Sequence, residues 1–254
     1  MLIARFTTGE DPRFAVVEGD QLAVIAGDPL YAPIHVTGER VVLDDARLLA
    51  PVIPRSKVLG IGRNYADHAA ELGNEVPAEP LVFLKPNTSV IGPGDPIVLP
   101  AASQRVDYEG ELAVVIGRVG RDVPVERAGE LILGYTCAND VTARDLQNSD
   151  GQWWRAKGYD SFCPLGPYLA TGIDPSDLRI TTRLDGTIVQ EARTSQMVYD
   201  IPRLIAFVTS AMTVLPGDVI LTGTPAGVGP MQPGSRVEVE VEGIGVLQNP
   251  AVRR

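Results

Sequence analysis

Cysteine and histidine are nearly missing from this chain of 254 residues, which holds two of each: Cys137, Cys163, His35 and His68. The two cysteines match no paired metal-ligand spacing and offer no disulfide framework, so a reducing, cytoplasmic setting is expected. Two histidines cannot build a His-rich zinc site. Positive charge is also scarce. Lysine and arginine number 22 against 32 aspartates and glutamates, for a formal net charge of -10, and the sequence pI is about 4.7. Most of such a surface repels polyanions, which removes nucleic acid from the expected partners. No apolar run approaches the roughly 18 residues that span a bilayer, and the leading MLIARFTTGEDPR has no basic-then-apolar export signal, so no membrane partner is expected.

The familiar nucleotide loops and nucleophile elbow are absent too. GIGRNY at 60–65 starts like a dinucleotide loop, but Tyr65 stands where the third glycine belongs, and no acidic residue follows about 20 positions on after a βαβ unit. TGTPAGVG at 222–229 lacks the Lys-Ser/Thr pair that touches phosphate and magnesium. There is no Gly-x-Ser-x-Gly.

What the chain has in quantity is turns. Its 26 glycines and 21 prolines separate short apolar stretches, which predicts a mainly β (α+β) fold with few helices. FAVVE (14–18) and QLAVI (21–25) flank Gly19-Asp20, a hairpin signal, so residues 1–55 are expected to form a small N-terminal β domain. The proline-containing APVIPRSK at 50–57 reads as a linker to a main domain over 56–254. KVLGIG (57–62), PLVFLKP (80–86) and DPIVLP (95–100) continue as strands, and RVEVEVEG (236–243) alternates valine with glutamate as a strand with one wet face. The clearest helix covers 202–214, with an apolar stripe of Leu204, Ile205, Val208, Ala211 and Met212, Pro202 in its first turn and Pro216-Gly217 as its stop. A second runs from Asn64 as N-cap to Gly73 as C-terminal stop. It is shorter than the roughly 12 residues an isolated helix needs, which makes it a candidate lid.

DYEGELAVVIG, residues 107–117, places Glu109 and Glu111 just before an uncharged stretch that does not alternate. In a strand the two glutamates project from one side, and a strand covered on both faces carries them into a closed space. Buried charge needs a partner or a metal; a solvated strand end is the plainer alternative. In CANDVTARDLQ (137–147), Asp140 follows an apolar stretch. Alone it reads as the N-cap of a short helix beginning near Thr142; with Glu109 and Glu111 it completes an all-oxygen set suited to a hard cation, Mg²⁺ or Mn²⁺ before Ca²⁺. Lys157 in WWRAKGYDSFCPLG reads by itself as a surface lysine flanked by core Trp153 and Trp154. His68 and Glu71 sit three apart and share a helix face. They are a solvated pair or, over a metal, a general-base dyad in which the carboxylate orients the imidazole.

GRNYADHAAELG, VFLKP, DYEGELAVVIG, NDVTARDLQ, WWRAKGYDSFCPLG and LTGTPAGVG, in that order, resemble the fumarylacetoacetate hydrolase family, whose short members include acylpyruvases and oxaloacetate decarboxylases. The resemblance spans 57 to about 250. It implies a mixed β-sandwich roll, a homodimer, a divalent ion on Glu109, Glu111 and Asp140, catalytic roles for His68, Glu71 and Lys157, and a pocket for a small 2-oxo acid lined by Lys85, Arg144, Gln147 and Thr224. The reaction it implies is cleavage of a C–C bond by acylpyruvate hydrolysis or oxaloacetate decarboxylation, through an enolate stabilised by the ion. The alternative is an isomerase or hydratase of 2-hydroxy-diene or 2-oxo-ene dicarboxylic acids.

Overall fold

A computed structural model describes residues 1–71 and 73–253. The chain is mainly β, as predicted. Among the described residues the largest sheet runs Val36–Val42, Gln21–Ile25, Arg13–Glu18, Leu2–Thr7, Cys163–Ala170, Ile132–Asn139, Gly110–Ile116, Val219–Leu221, Val58–Gly62 and Leu81–Lys85 in spatial order. A second sheet joins Thr187–Arg193, Arg179–Leu184, Arg236–Val241, Gly245–Arg253 and Ile97–Leu99, and a small third one holds Val106–Tyr108 between Thr142–Ala143 and Gly229–Pro230. The N-terminal strands extend the large sheet through the antiparallel pairing of Leu2 with Ala170 and Ile3 with Leu169. The hairpin predicted around Gly19 is present, with Val17 opposite Leu22 and Glu18 opposite Gln21.

Gly110–Ile116 lies antiparallel to a neighbour on each side, and all of it is buried. Leu112, Val114 and Ile116 face a core shared with Ile180, Val237, Val239 and Leu247. Ala113 and Val115 face a second core with Val58, Leu165, Val219 and Leu221. Two covered faces are why the sequence does not alternate there. Each fully buried Leu, Val or Ile in this strand contributes about 1.5–3 kcal/mol. Arg236–Val241, by contrast, alternates buried valines with half-buried glutamates, as predicted.

The expected strand over 107–117 is in fact two. It breaks at Glu109, because Val106–Tyr108 belongs to the small sheet and Gly110–Ile116 to the large one.

Four α-helices are assigned among the described residues: α1 (Ala66–Glu71), α2 (Arg144–Ser149), α3 (Trp154–Gly158) and α4 (Ile201–Ala211). Helix α4 opens one residue early because Asp200 caps it, its side chain accepting from the Arg203 N–H. Its buried stripe is Ile201, Leu204, Ile205, Val208 and Thr209. Ala211 is exposed, and the helix ends before Pro216-Gly217 because Met212 is already extended. Helix α1 corrects the expected N-cap. Asn64 is fully buried and spends its amide on the carbonyls of Tyr199 and Thr222, while the Tyr65 carbonyl accepts the first helical bond, from the Ala69 N–H. The stop at Gly73 is borne out: its φ is +68°, its N–H bonds the Ala70 carbonyl, and the Asn74 N–H bonds Ala69. Leu72, within the predicted helix, lies outside the described residues. Asp140 caps nothing, since α2 begins after Ala143 with no side-chain cap. Trp154 is no core residue either; it is 69% exposed.

Candidate functional site

The register of one strand pair builds the centre of the site. Gly110 lies opposite Asn139 and Glu111 opposite Ala138, so Glu109 and Asp140 face each other just beyond the strand ends, tied by the Asp140 N–H to the Glu109 carbonyl at 2.8 Å. Carboxylate oxygens of Glu109, Glu111 and Asp140 come within 4.8 Å of one another, and all three residues are buried. Between the two glutamates only glycine fits: a Cβ on Gly110 would stand 2.0 Å from the Thr182 hydroxyl oxygen. The Gly110 peptide is also held at both ends. Its N–H donates to Gln190 Oε1 at 3.0 Å, its carbonyl accepts from the Thr224 hydroxyl at 2.9 Å, and Gln190 Nε2 closes the ring by donating to Thr224 Oγ1 at 2.8 Å.

Cations surround this floor. Lys157 donates to Glu109 Oε2 at 2.7 Å and to Asp140 Oδ2. Lys85 donates to Asp140 Oδ1 at 2.5 Å. Arg144 spreads its guanidinium over Asp107 (2.9 Å), Gln147 (2.6 Å) and Glu109 (2.5 Å). Asp107, Glu109, Glu111 and Asp140 therefore stand against three equally buried bases, Lys85, Arg144 and Lys157. Glu111 carries the surplus. Its Oε2 accepts from the Gly223 N–H at 2.6 Å, and among the described residues no protein donor reaches its other oxygen.

Protonation follows this imbalance. Burial, reinforced by Asp140 and Glu109, raises the Glu111 carboxyl well above the usual range. Burial would raise Glu109 as well, but Lys157 and Arg144 outweigh it and hold that carboxyl below its ordinary value. Burial opposes the Lys157 charge, yet Asp140 and Glu109 prevail and raise its pKa. Both cysteine thiols are pushed up to about 12, chiefly by burial, which leaves them inert.

A divalent cation fits this donor set. The three carboxylates are hard oxygen donors, one has an oxygen without a protein partner among the described residues, and the four buried carboxylates outnumber the three buried bases, with the exposed Arg105 reaching only Asp107. The oxygens already paired to lysine or arginine keep lone pairs for an ion.

The floor opens into a cavity of about 450 Å³. Glu109, Glu111, Lys157, Arg144, Gln147, Thr224 and His68 line it, as do Arg63, Arg105 and Trp153. His68 is buried on α1, with Nδ1 3.4 Å from Glu71 Oε2, and both Glu71 oxygens accept from the Gly227 N–H at 3.1 Å. Lys85 is not on this wall; it is 1% exposed and braces Asp140 instead of a pocket ligand. Thr224 reaches the wall, although its hydroxyl is committed to Gly110 and Gln190.

Three contributors escape the sequence. Asp107 lies inside the quoted DYEGELAVVIG, but its pairing with Arg144 links positions 37 apart. Gln190 comes from the other sheet, and Arg105 grips Asp107 through Nε and Nη2. The ring through Gln190 makes a testable claim. Gln190→Met keeps the shape but leaves the buried Gly110 N–H without its acceptor, so Mg²⁺ affinity by calorimetry should weaken about 10–100-fold, alongside a stability loss of about 1–3 kcal/mol.

Comparison with known proteins places this geometry in company. A family model described as fumarylacetoacetate (FAA) hydrolase, C-terminal, matches residues 57–252, and one described as Rv2993c-like, N-terminal, matches 1–51. Protein Rv2993c of Mycobacterium tuberculosis is 50% identical over all of this chain and 99% of its own length. The human oxaloacetate tautomerase FAHD2A, mitochondrial, is 44% identical over 82% of this chain and 70% of its own. The crystal structure of a 5-carboxymethyl-2-hydroxymuconate delta-isomerase from Mycobacterium smegmatis is 50% identical, with a TM-score of 0.93 and complete coverage of both chains.

Proposed function

The chain belongs to the fumarylacetoacetate hydrolase family, and from that membership and the shape of the site we propose that it interconverts tautomers or double-bond isomers of a small 2-oxo acid through an enolate. The observation that carries this reading is the convergence of three buried carboxylates, two of which, Glu109 and Glu111, line a cavity together with Lys157 and Arg144. A hard dication held by Glu109, Glu111 and Asp140, Mg²⁺ or Mn²⁺ before Ca²⁺, would supply Lewis-acid stabilisation of the charge that enolisation puts on the 2-oxo oxygen.

The chain's own residues divide the remaining work. Lys157 presents an ammonium group to the cavity and can donate to the substrate oxygen that gains negative charge. His68 takes the proton from C3, whose electron pair forms the enolate, and delivers it to the enolate oxygen for a tautomer or to a carbon further along the conjugated chain for a double-bond isomer, while Glu71 sets which imidazole nitrogen carries the hydrogen. Gly227 in turn fixes Glu71. Arg144 and Gln147 shape the wall on the α2 side. Helix α1 acts as the lid, and amide exchange over 64–71 should slow when oxalate is added; equal protection with and without it counts against closure.

Isomerisation is preferred over C–C cleavage because the tautomerase and the isomerase are similar over most of the chain. Cleavage is the second reading, favoured by the His68–Glu71 pair, which could take a proton from water as readily as from carbon. Oxaloacetate separates them. Its enol–keto interconversion can be followed by ultraviolet absorbance and its pyruvate release by a coupled dehydrogenase, each with Mg²⁺, Mn²⁺ and EDTA. The expected result is metal-dependent loss of the enol with no pyruvate above the uncatalysed rate. Pyruvate appearing as fast as the enol disappears would overturn the proposal in favour of decarboxylation.

A further inference from the structure

The glycines of GIGRNY fit no dinucleotide loop, but the structure gives both the same task, making room for an aromatic ring. Gly60 and Gly62 lie two apart on the strand Val58–Gly62 and so face one side of the sheet. A Cβ on Gly60 would stand 2.2 Å from the Phe83 ring, and one on Gly62 would stand 3.2 Å from the Trp153 ring. Phe83 lies opposite Gly60 in the antiparallel pairing with Leu81–Lys85, so its ring folds across the strand into the space a side chain would fill. Trp153 holds that ring edge to face, with centroids 5.6 Å apart and planes at 66°.

The face of the Phe83 ring is turned to Lys157. Its centroid is 4.9 Å from Lys157 Nζ, inside the roughly 6 Å over which a ring face attracts a cation. Lys157 is buried, and this attraction is strongest where water does not compete. Among the described residues that line the cavity, Lys157 is included and Phe83 is not. Whatever the ring does for a ligand there passes through the ammonium group.

The ring differs in kind from the side chains that accept hydrogen bonds from Lys157. Those two, Glu109 and Asp140, belong to the carboxylate set that fits a dication. Oxygens shared with an ion hold the ammonium less tightly, and the charge of the ion repels it. A neutral ring face takes no part in that competition. We infer that Phe83 is a positioning residue for Lys157, its ring face keeping the ammonium at the cavity when a cation shares Glu109 and Asp140. This rests on the enolate reading, in which Lys157 meets the substrate oxygen, and adds what keeps the ammonium there.

Oxalate, which resembles the enolate of pyruvate in shape and charge, reads the ammonium without turnover. Phenylalanines carrying one, two and three fluorines at position 83 drain the ring face of negative charge while the ring stays. In calorimetry on the full-length Mg²⁺-loaded protein, oxalate affinity should fall stepwise along this series, by about 10–30-fold in total, the size expected of one desolvated cation–ring pair. Phe83→Leu should weaken binding to a similar extent without any fluorine. In a Lys157→Met background the same replacements should leave oxalate affinity within about twofold, because the ring then has no cation to hold. Melting temperatures in saturating Mg²⁺ should follow the same pattern, falling with each fluorine only where Lys157 is present.

Where Lys157→Met weakens oxalate binding, equal losses along the series in both backgrounds, or a flat series in wild type, overturn the inference: the first is packing against Gly60, the second an absence of attraction. The donor role of Lys157 fails separately. If Lys157→Met binds oxalate as tightly as wild type, the ammonium does not meet the ligand and that reading is wrong. The melts then decide: losses confined to proteins with Lys157 uphold the hold of the ring on it, and losses common to both backgrounds, or none, overturn it.

Discussion

Glu111→Gln is expected to abolish measurable Mg²⁺ and Mn²⁺ binding and to lower turnover about 10³-fold or more, with the fold intact. The size follows from what a Lewis acid contributes to charge developing in a transition state, several kcal/mol at about 1.4 kcal/mol per tenfold. Glu111 is the informative position because its loss disturbs least. Glu109 and Asp140 each neutralise buried cations, so truncating either strands Lys157 together with Arg144 or Lys85. Among the described residues Glu111 has one protein donor, the Gly223 N–H, which the amide oxygen of glutamine can still satisfy. Protons give a second readout. The Glu111 carboxyl is raised by burial and its acidic neighbours, so it stays protonated above the normal carboxylate range, whereas a cation requires the carboxylate. Wild-type Mg²⁺ binding should therefore release a proton and weaken as pH falls, visible as buffer-dependent heats in calorimetry. Undiminished metal affinity in Glu111→Gln would contradict this.

The second large effect is at Lys157. Lys157→Met leaves four buried carboxylates facing two buried cations. Breaking a buried ion pair from one side costs about 3–5 kcal/mol, so the variant should melt well below wild type in EDTA. A dication restores the missing charge, so saturating Mg²⁺ should recover much of that loss, and its stabilisation of the variant should exceed that of wild type. Turnover should not recover. The donor to the developing enolate oxygen is gone, and removing such a donor costs about 10²–10³ in kcat. Thermal melts with and without Mg²⁺, beside steady-state rates, check both halves. A variant insensitive to Mg²⁺ would mean that Lys157 and the ion do not share the carboxylates.

Particular residues show what the sequence makes legible. Glu109 and Glu111 stand out because a strand covered on both faces has no solvent to offer them, and the unbroken Leu112–Ile116 run advertises that burial. Asp140 follows from the same logic at the end of an apolar stretch, and the antiparallel register then brings it opposite Glu109. Strands bounded by glycine and proline, and the Gly73 stop, are local signals and read correctly. The misreadings depend on distant partners. Asn64 looks like a cap by its type, but tertiary carbonyls at 199 and 222 claim its amide. Lys85 resembles a pocket residue until Asp140 proves to be its partner. The break at Glu109 arises because two sheets compete for one segment, and Phe83 meets Lys157 across a contact that no residue pattern reveals.

The most direct measurement is anomalous diffraction from crystals of the wild-type protein grown with Mn²⁺. One strong peak is expected within bonding distance of oxygens from Glu109, Glu111 and Asp140 together, and it should vanish in Glu111→Gln crystals grown the same way. Well-ordered carboxylates with no manganese among them, or a peak that persists without Glu111, would contradict a cation held by these three side chains.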